Sequence, residues 1–456
     1  MNKNWTEVHS KIFTQFCDEL NNCKIKFFIL RNYKTLPEIN LSKDIDFMID
    51  PKSLRKVIKI YKDILKSNKF EYYYQSDYAK VSCCYGINTI DNLSIHFDFI
   101  GEYVSKGYEV FTFDEMYKDV ESYKNFFVAS AYLEAITLFI YKQFNTKSYF
   151  KEIYKEQILN TFINNDKFNN HLKNLVGEKL STKIIDKIND KDFDGMLKYS
   201  DELTKKLKNY VLKKRPIKTI SKKIYFILEK ISINTFKFRK LSKVFSVMAP
   251  DGAGKTTFLD NLSEKLAFYF VNSSVEERVS IYHFRPSILP NLGAVGEKAK
   301  VMKQDTDYSN PHRAKPAGKL SSLVRITYYW FDYLIGYFIL TRKDLKTYKF
   351  TLFDRYIYDF IVDPFRSRIN LPTWVRKLYV KLTPQPKIVF YLHADPDVIY
   401  KRKQELTLEE IKRQNKIYLD LANSHDRFKI LDANRRYDES VDEALEIILD
   451  TFCEKL

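Results

Sequence analysis

Cysteine is scarce in this 456-residue chain, and the five that occur follow no pattern. Cys17, Cys23, Cys83, Cys84 and Cys453 are odd in number and lack paired metal-ligand spacing, which excludes a disulfide scaffold. The adjacent Cys83 and Cys84 read as strand thiols, and a reducing, cytoplasmic setting is expected. Asn, Lys, Glu and His precede any apolar run at the N-terminus, so no signal-peptide core is read there. Internal repeats and low-complexity tracts are absent as well. The one apolar run near membrane-spanning length, 321–340, carries Arg325 and Asp332. A charge at mid-bilayer costs about 2.5–3.5 kcal/mol, so a buried helix of a globular core is expected instead.

Acidic residues fall short of basic ones, 58 against 76, giving a net charge of +18 that would suit an acidic partner. The abundance of Lys, Asn, Ile, Tyr and Phe accounts for the same excess as coding bias, so charge alone selects no partner. With 45% hydrophobic and 16% aromatic residues the chain can bury a sizeable core. Domains usually hold about 100–200 residues, so two or three are expected.

Residues 24–30 and 44–50 read as strands and 53–67 as a helix, with Leu54, Val57, Ile58, Tyr61 and Ile64 on one face. Further strands are expected at 70–75, 79–85 and 93–100, making an α+β domain over 1–120. A helical appendage follows over 121–210, its first helix beginning near 126. A basic linker spans 211–242, interrupted at Pro216. A solvated connector and a helix lying on an anionic membrane surface are the two readings of it. The last domain is expected to span 243–456.

That last domain opens with a strand, VFSVM at 244–248, then the loop APDGAGKTT, then a helical pattern. A strand, a Gly-rich loop and a helix in this order suit phosphate binding. Backbone N–H groups of Gly252, Ala253 and Gly254 can wrap phosphate oxygens, Lys255 can reach the β and γ positions, and Thr256 can ligate Mg²⁺. Asp251 and Thr257 complete the loop. Ala249 stands where the consensus has its first glycine.

The loop, together with FDRY at 353–356, resembles the thymidylate kinase family of nucleoside monophosphate kinases over about 210 residues. The resemblance implies an ATP-dependent phosphotransferase with an NMP-kinase-like α/β fold, a parallel sheet flanked by helices. It implies Asp251 facing the acceptor, Asp354 near Mg²⁺ and Arg355 on the acceptor phosphate. Were the acceptor a hydroxyl, Asp354 would also be a candidate base. The segment 387–406 is similar to the late strand and lid of these kinases, with Arg402 as the lid cation beside Lys401 and Lys403. The family's Arg-Glu-Pro-Gly segment and thymine-reading glutamine are missing. HFRP at 283–286, NPHRAKP and DRYIYDFIVDPFR resemble instead a thymidylate-kinase-like subgroup associated with bacterial surface-polysaccharide clusters. That likeness implies an acceptor pocket drawn from His283, Arg285, His312, Arg313, Lys315, Asp359, Asp363 and Arg366, and an anionic acceptor: a sugar phosphate, a glycan end or a nucleotide.

In the first domain Asp44, Asp46 and Asp98 fall in strand contexts, and carboxylates two apart on a strand share a face. With a third on a neighbouring strand they could hold two Mg²⁺ ions. This D-x-D plus later Asp pattern resembles nucleotidyltransferases of the DNA polymerase β type over about 100 residues, although Arg31 and Asn32 stand where that family has a Gly-Ser pair. Glu134 and Lys142 on the next helix read as a solvated face or an intramolecular pair. The resulting expectation is a bifunctional enzyme using ATP and Mg²⁺, of unassigned oligomeric state with a homodimer admitted, and with nucleic acid not expected as partner. A true thymidylate kinase with a non-catalytic first domain and a nucleic-acid-binding regulator stand as alternatives.

Overall fold

A computed structural model describes residues 5–78, 80–145, 150, 152–162, 166–235, 238–270, 274–290, 292 and 317–456. Contacts divide the chain into two units, Met1–Ser232 with Cys453–Leu456, and Ile233–Phe452. Each is an assembly of helices on a sheet.

The first unit is built from β1 (Phe27–Ile29), β2 (Ile45–Ile49), β3 (Tyr72–Tyr78), β4 (Val81–Asn88), β5 (Leu93–Ile100), a small hairpin of β6 (Val104–Ser105) and β7 (Tyr108–Glu109), then β8 (Val120–Tyr123) and β9 (Phe126–Ala129). The second contributes β10 (Val244–Met248), β11 (Val279–His283), β12 (Phe350–Asp354), β13 (Ile388–His393) and β14 (Phe428–Asp432). The final strand, β15 (Glu454–Lys455), belongs to the first unit. Eight strands form the first sheet, in the order β15-β3-β4-β5-β2-β1-β9-β8.

Within that sheet β2 and β5 run parallel with Asp46 opposite Asp98, and β4 runs antiparallel to β5 with Cys83 opposite Asp98. The period of two sorts the side chains. Ile45, Phe47 and Ile49 of β2 and Phe97 and Phe99 of β5 enter one core with Phe13, Phe16 and Tyr61 from helices Glu7–Asn22 and Leu54–Ser67. Met48 and Ile100, alternating with them, enter the opposite core beneath the helices that run from Ala131 to Lys214. Asp46 and Asp98 share that second face. Aromatic rings fill the first core at close range, as between Tyr61 and Phe97 at 4.8 Å.

Two elements depart from the sequence reading. Phe126–Ala129 is a strand pairing β1 through Ile29 and Val128, and the helix begins at Ala131. The sheet therefore extends past residue 120: long-range pairing overrides the local helical period of 126–130. Glu454–Lys455 pairs with Tyr72 and Tyr73 across almost the whole sequence, which no local pattern announces.

The basic stretch over 211–242 is mostly the helix Pro216–Asn234, started by a proline at a position where its missing N–H costs nothing. Lys222 reaches Glu109 at 2.8 Å and Glu102 at 2.9 Å, and Lys218 reaches Glu109 at 3.4 Å. At Gly107, in the turn of the β6-β7 hairpin with φ +85°, a Cβ would lie 2.8 Å from Lys223 Cα. Only glycine admits so close a backbone approach.

The second unit holds a five-stranded parallel sheet in the order β11-β12-β10-β13-β14. Its three central strands β12, β10 and β13 are buried runs, as expected where helices cover both faces, while the edge strands β11 and β14 are partly exposed. The apolar segment 321–340 lies in the helix Lys319–Lys346, whose Ile326, Tyr333, Tyr337 and Leu340 pack with Phe353, Tyr356 and Tyr391. Among the described residues no helix is long and apolar enough to cross a membrane.

Candidate active site

After β10 the chain crosses to β11 on one side of the second sheet, and after β12 it crosses to β13 on the other. The loops leaving β10 and β12 therefore diverge and leave a crevice at the carboxyl ends of the strands, where open α/β sheets bind ligands. Val247 lies opposite Asp354, and His283 lies on Asp354's other side, so three strand ends meet there.

The loop following β10 turns through two left-handed glycines, Gly252 at φ +91° and Gly254 at φ +88°. A Cβ at Gly254 would meet nothing within 4 Å, so the loop borders open space there. A Cβ at Gly252 would lie 3.0 Å from Lys403 Cβ and 3.2 Å from the Ile399 carbonyl, so the helix Pro396–Arg402 approaches the loop closely there. Helix Lys255–Tyr269 begins at the loop's end and directs its positive pole toward it. Ala253 is buried, while Thr256 and Thr257 are exposed on the first turn. Arg402 is exposed at the last turn of its own helix.

Charged side chains converge beside this loop. Asp251 accepts from Arg355 Nη2 at 2.5 Å and from Arg366 Nη1 at 2.6 Å, and Lys255 Nζ lies 3.7 Å away. Burial would raise the Asp251 carboxyl, but Arg355, Lys255 and Arg366 together hold it well below the usual carboxylate range. Arg355 sits at φ +71° and donates its other nitrogen to buried Asp359 at 3.0 Å. Asp359 also accepts from Tyr418 at 3.2 Å, and burial pushes its pKa up against the pull of Arg355. Lys255 is pushed down to about 8, first by burial and then by Arg355.

Asp354 fits a cation. Its Oδ2 takes His283 Nδ1 at 3.0 Å, while its Oδ1 is buried with no hydrogen-bond partner among the described residues. Together with the exposed hydroxyl of Thr256, at the start of the helix that follows the loop, it offers hard oxygen donors of the kind Mg²⁺ takes.

Other expected site residues have structural engagements. Arg285 donates to Asp332 at 2.9 Å, and Asp332, fully buried, also accepts from the Ser287 and Leu289 amides at 3.0 and 2.6 Å. Asp332 thus fixes the loop after β11, a role for which a lone charge in an apolar run gives no sequence signal. Asp363 is buried and caps the turn Pro364–Ser367 through the Arg366 amide. His312, Arg313 and Lys315 lie outside the described residues.

In the first unit Asp46 is bonded through both oxygens to Arg31, Nε at 2.7 Å and Nη2 at 3.2 Å. The guanidinium is correspondingly raised above its ordinary value, chiefly by Asp46. Asp98 accepts from His96 Nε2 at 2.8 Å, and Asp44, in the loop before β2, accepts from Ser42 at 3.0 Å. A cavity of about 130 Å³ is lined by Arg31, Asp46, Asp98, Glu102 and Tyr103 among others. Two of the three expected carboxylates thus share a cavity, but a guanidinium already occupies Asp46. The arrangement does not fit a pair of Mg²⁺ ions. Glu134, read as part of a solvated face or of a pair with Lys142, is buried and accepts from Gln157 at 3.1 Å, with burial raising its pKa; the side chain of Lys142 lies outside the described residues.

The chain matches no known protein-family model and no curated protein.

Proposed function

We propose that the second unit is an ATP- and Mg²⁺-dependent phosphotransferase of the P-loop kinase class, acting on an anionic acceptor such as a sugar phosphate, a glycan end or a nucleotide. The reading rests on one convergence: a left-handed Gly-Ala-Gly turn at a helix N-terminus, a largely buried lysine and a carboxylate oxygen without a hydrogen-bond partner, all at the divergence of β10 and β12. Phosphoryl transfer needs little else, since positioning and charge neutralisation supply most of the catalysis.

In this reading the amides of Gly252 to Lys255 and the Lys255 ammonium bind the triphosphate of ATP. Asp354 and Thr256 would hold Mg²⁺, which when bound neutralises charge shared between the β and γ phosphates. Arg366, the more exposed of the two guanidiniums that Asp251 holds, would meet the acceptor's anionic group, with Arg355 buried behind it adding positive charge. An acceptor oxygen attacks the γ phosphorus as its bond to the ADP oxygen breaks. For a hydroxyl acceptor the departing proton would pass to Asp354; a phosphate acceptor has none to lose. Arg402, exposed on the helix that abuts Gly252, is the candidate lid cation.

The test presents purified chain with ATP labelled at the γ or the α phosphate, alongside dTMP, sugar phosphates and polysaccharide extract. Transfer of γ label to a non-nucleotide acceptor, lost in Lys255→Ala, is the expected result. Transfer to dTMP alone would make the protein a thymidylate kinase. Transfer of neither label to any acceptor, with steep salt-dependent binding of DNA or RNA, would favour a regulator. Transfer of α label, abolished by Asp46→Asn, would restore nucleotidyl transfer to the first unit.

A further inference from the structure

We propose that Cys83, His96 and Asp98 form a site for a transition-metal dication of the zinc(II) class on the first sheet. The register of β4 and β5 puts Cys83 directly opposite Asp98, and His96 stands two residues before Asp98 on the same face. One donor atom from each of the three lies within 4.8 Å of the others. Zinc bonds of about 2.0–2.3 Å set ligand atoms roughly 3–4 Å apart, so modest side-chain rotation closes the set on an ion.

The donor chemistry separates this site from a magnesium site. Mg²⁺ takes hard oxygens in octahedral array, whereas a thiol, an imidazole and a carboxylate together suit Zn²⁺ or its spectroscopic substitute Co²⁺. The surroundings hold the donors in place. The His96 ring stacks on Tyr85 with centroids 4.0 Å apart and planes 15° from parallel, and only 7% of the His96 side chain is exposed. Three protein ligands leave one tetrahedral position, the pattern of zinc sites that bind a further molecule. Asp98 also lines the cavity that holds Arg31 and Glu102. Binding converts the Cys83 thiol to a thiolate, and its proton passes to solvent.

Sequence spacing conceals the site. Cys83 and Cys84 are adjacent, a spacing typical of no metal motif, and alternation sends Cys84 into the opposite core. Without metal the same groups form a hydrogen-bonded pair, His96 Nε2 to Asp98 Oδ1 at 2.8 Å, which is the competing account.

The full chain, stripped with a chelator and dialysed, is titrated with Co²⁺. One equivalent should produce a near-ultraviolet thiolate-to-cobalt charge-transfer band that Zn²⁺ bleaches and excess Mg²⁺ leaves intact. Cys83→Ser should abolish the band and His96→Gln should weaken Co²⁺ binding at least tenfold, while Cys23→Ser should keep the wild-type titration. Absence of the band from the wild-type chain, or its persistence in Cys83→Ser, overturns the proposal whatever the stability of the variants.

A separate observation concerns the helix Pro216–Asn234, which is turned the opposite way from an ordinary surface helix. Its lysines Lys218 and Lys222 point to Glu109 and Glu102, while Ile217, Ile220, Ile224, Ile227 and Ile231 are between 50 and 83% exposed. Their spacing of three and four confines them to a stripe about 100° wide. We infer that this stripe rests on an anionic lipid surface. The segment 213–231 carries seven Lys or Arg against one Glu, and subtracting Glu102, Glu109 and Glu115 still leaves cations in excess.

Co-sedimentation with phosphatidylcholine vesicles containing a minority of phosphatidylserine should pellet the chain, and phosphatidylcholine alone should not. Ile220→Asp with Ile227→Asp, both at exposed positions, should cut the pelleted fraction at least tenfold. No pelleting, an unchanged double variant, or a solution oligomer that the double variant dissolves would each overturn the inference.

Discussion

Replacing Arg355 by Met tests the electrostatic centre of the second unit. The guanidinium is 6% exposed and joins Asp251 at 2.5 Å and Asp359 at 3.0 Å, the latter carboxylate being 1% exposed. Methionine keeps much of the volume but strands Asp359 with only Tyr418 as a donor among the described residues. Removing one partner of a buried ion pair typically costs about 3–5 kcal/mol, mostly the penalty of the charge left behind. Asp359 can escape part of that penalty by taking a proton, because burial already raises its pKa. A carboxyl whose folded pKa exceeds its unfolded value binds the extra proton only when folded, so stability falls as pH rises between the two values. The variant should therefore lose more stability at pH 8 than at pH 5, and Arg355→Met with Asp359→Leu should recover most of the loss. Urea unfolding followed by Trp330 and Trp374 fluorescence, in a Trp5→Phe background, reports on this unit. A loss below about 1 kcal/mol with no dependence on pH would refute the reasoning.

Other perturbations follow from the same geometry. Lys255, pushed down to about 8, should take up about half a proton per nucleotide bound at pH 8 and almost none at pH 6, read by calorimetry in buffers of different ionisation enthalpy. Asp332→Ala removes the fully buried acceptor of Arg285 and of the Ser287 and Leu289 amides, leaving Arg285 only the Leu289 carbonyl at 3.3 Å, and should cost about 1–3 kcal/mol in urea unfolding. Gly107→Ala combines a left-handed residue with a 2.8 Å backbone clash against Lys223 and should destabilise the docking of Pro216–Asn234 by at least ~2 kcal/mol, seen as faster trypsin cleavage in that helix.

What the sequence made legible was local. The loop at 249–257 could be read because its glycines, lysine and threonine are contiguous and bracketed by a strand and a helix, as the structure has them. Contacts between distant residues stayed hidden. Arg355 and Arg366 meet Asp251 across more than a hundred residues, Arg285 finds Asp332, and Cys83 faces Asp98 only through the register of β4 and β5. Asp46 carried a pattern suited to metal, yet Arg31, fifteen residues away, holds both its oxygens. The strand at 126–129 was masked by apolar residues continuing into a helix, and only its partner β1 distinguishes it.

Equilibrium binding of Mg·ATP to the wild-type chain and to Lys255→Ala at pH 7 tests the phosphotransferase reading most directly. The account predicts one saturable site in the wild type, weakened at least tenfold by the substitution. Equal affinity in the two proteins, or none in either, would contradict it.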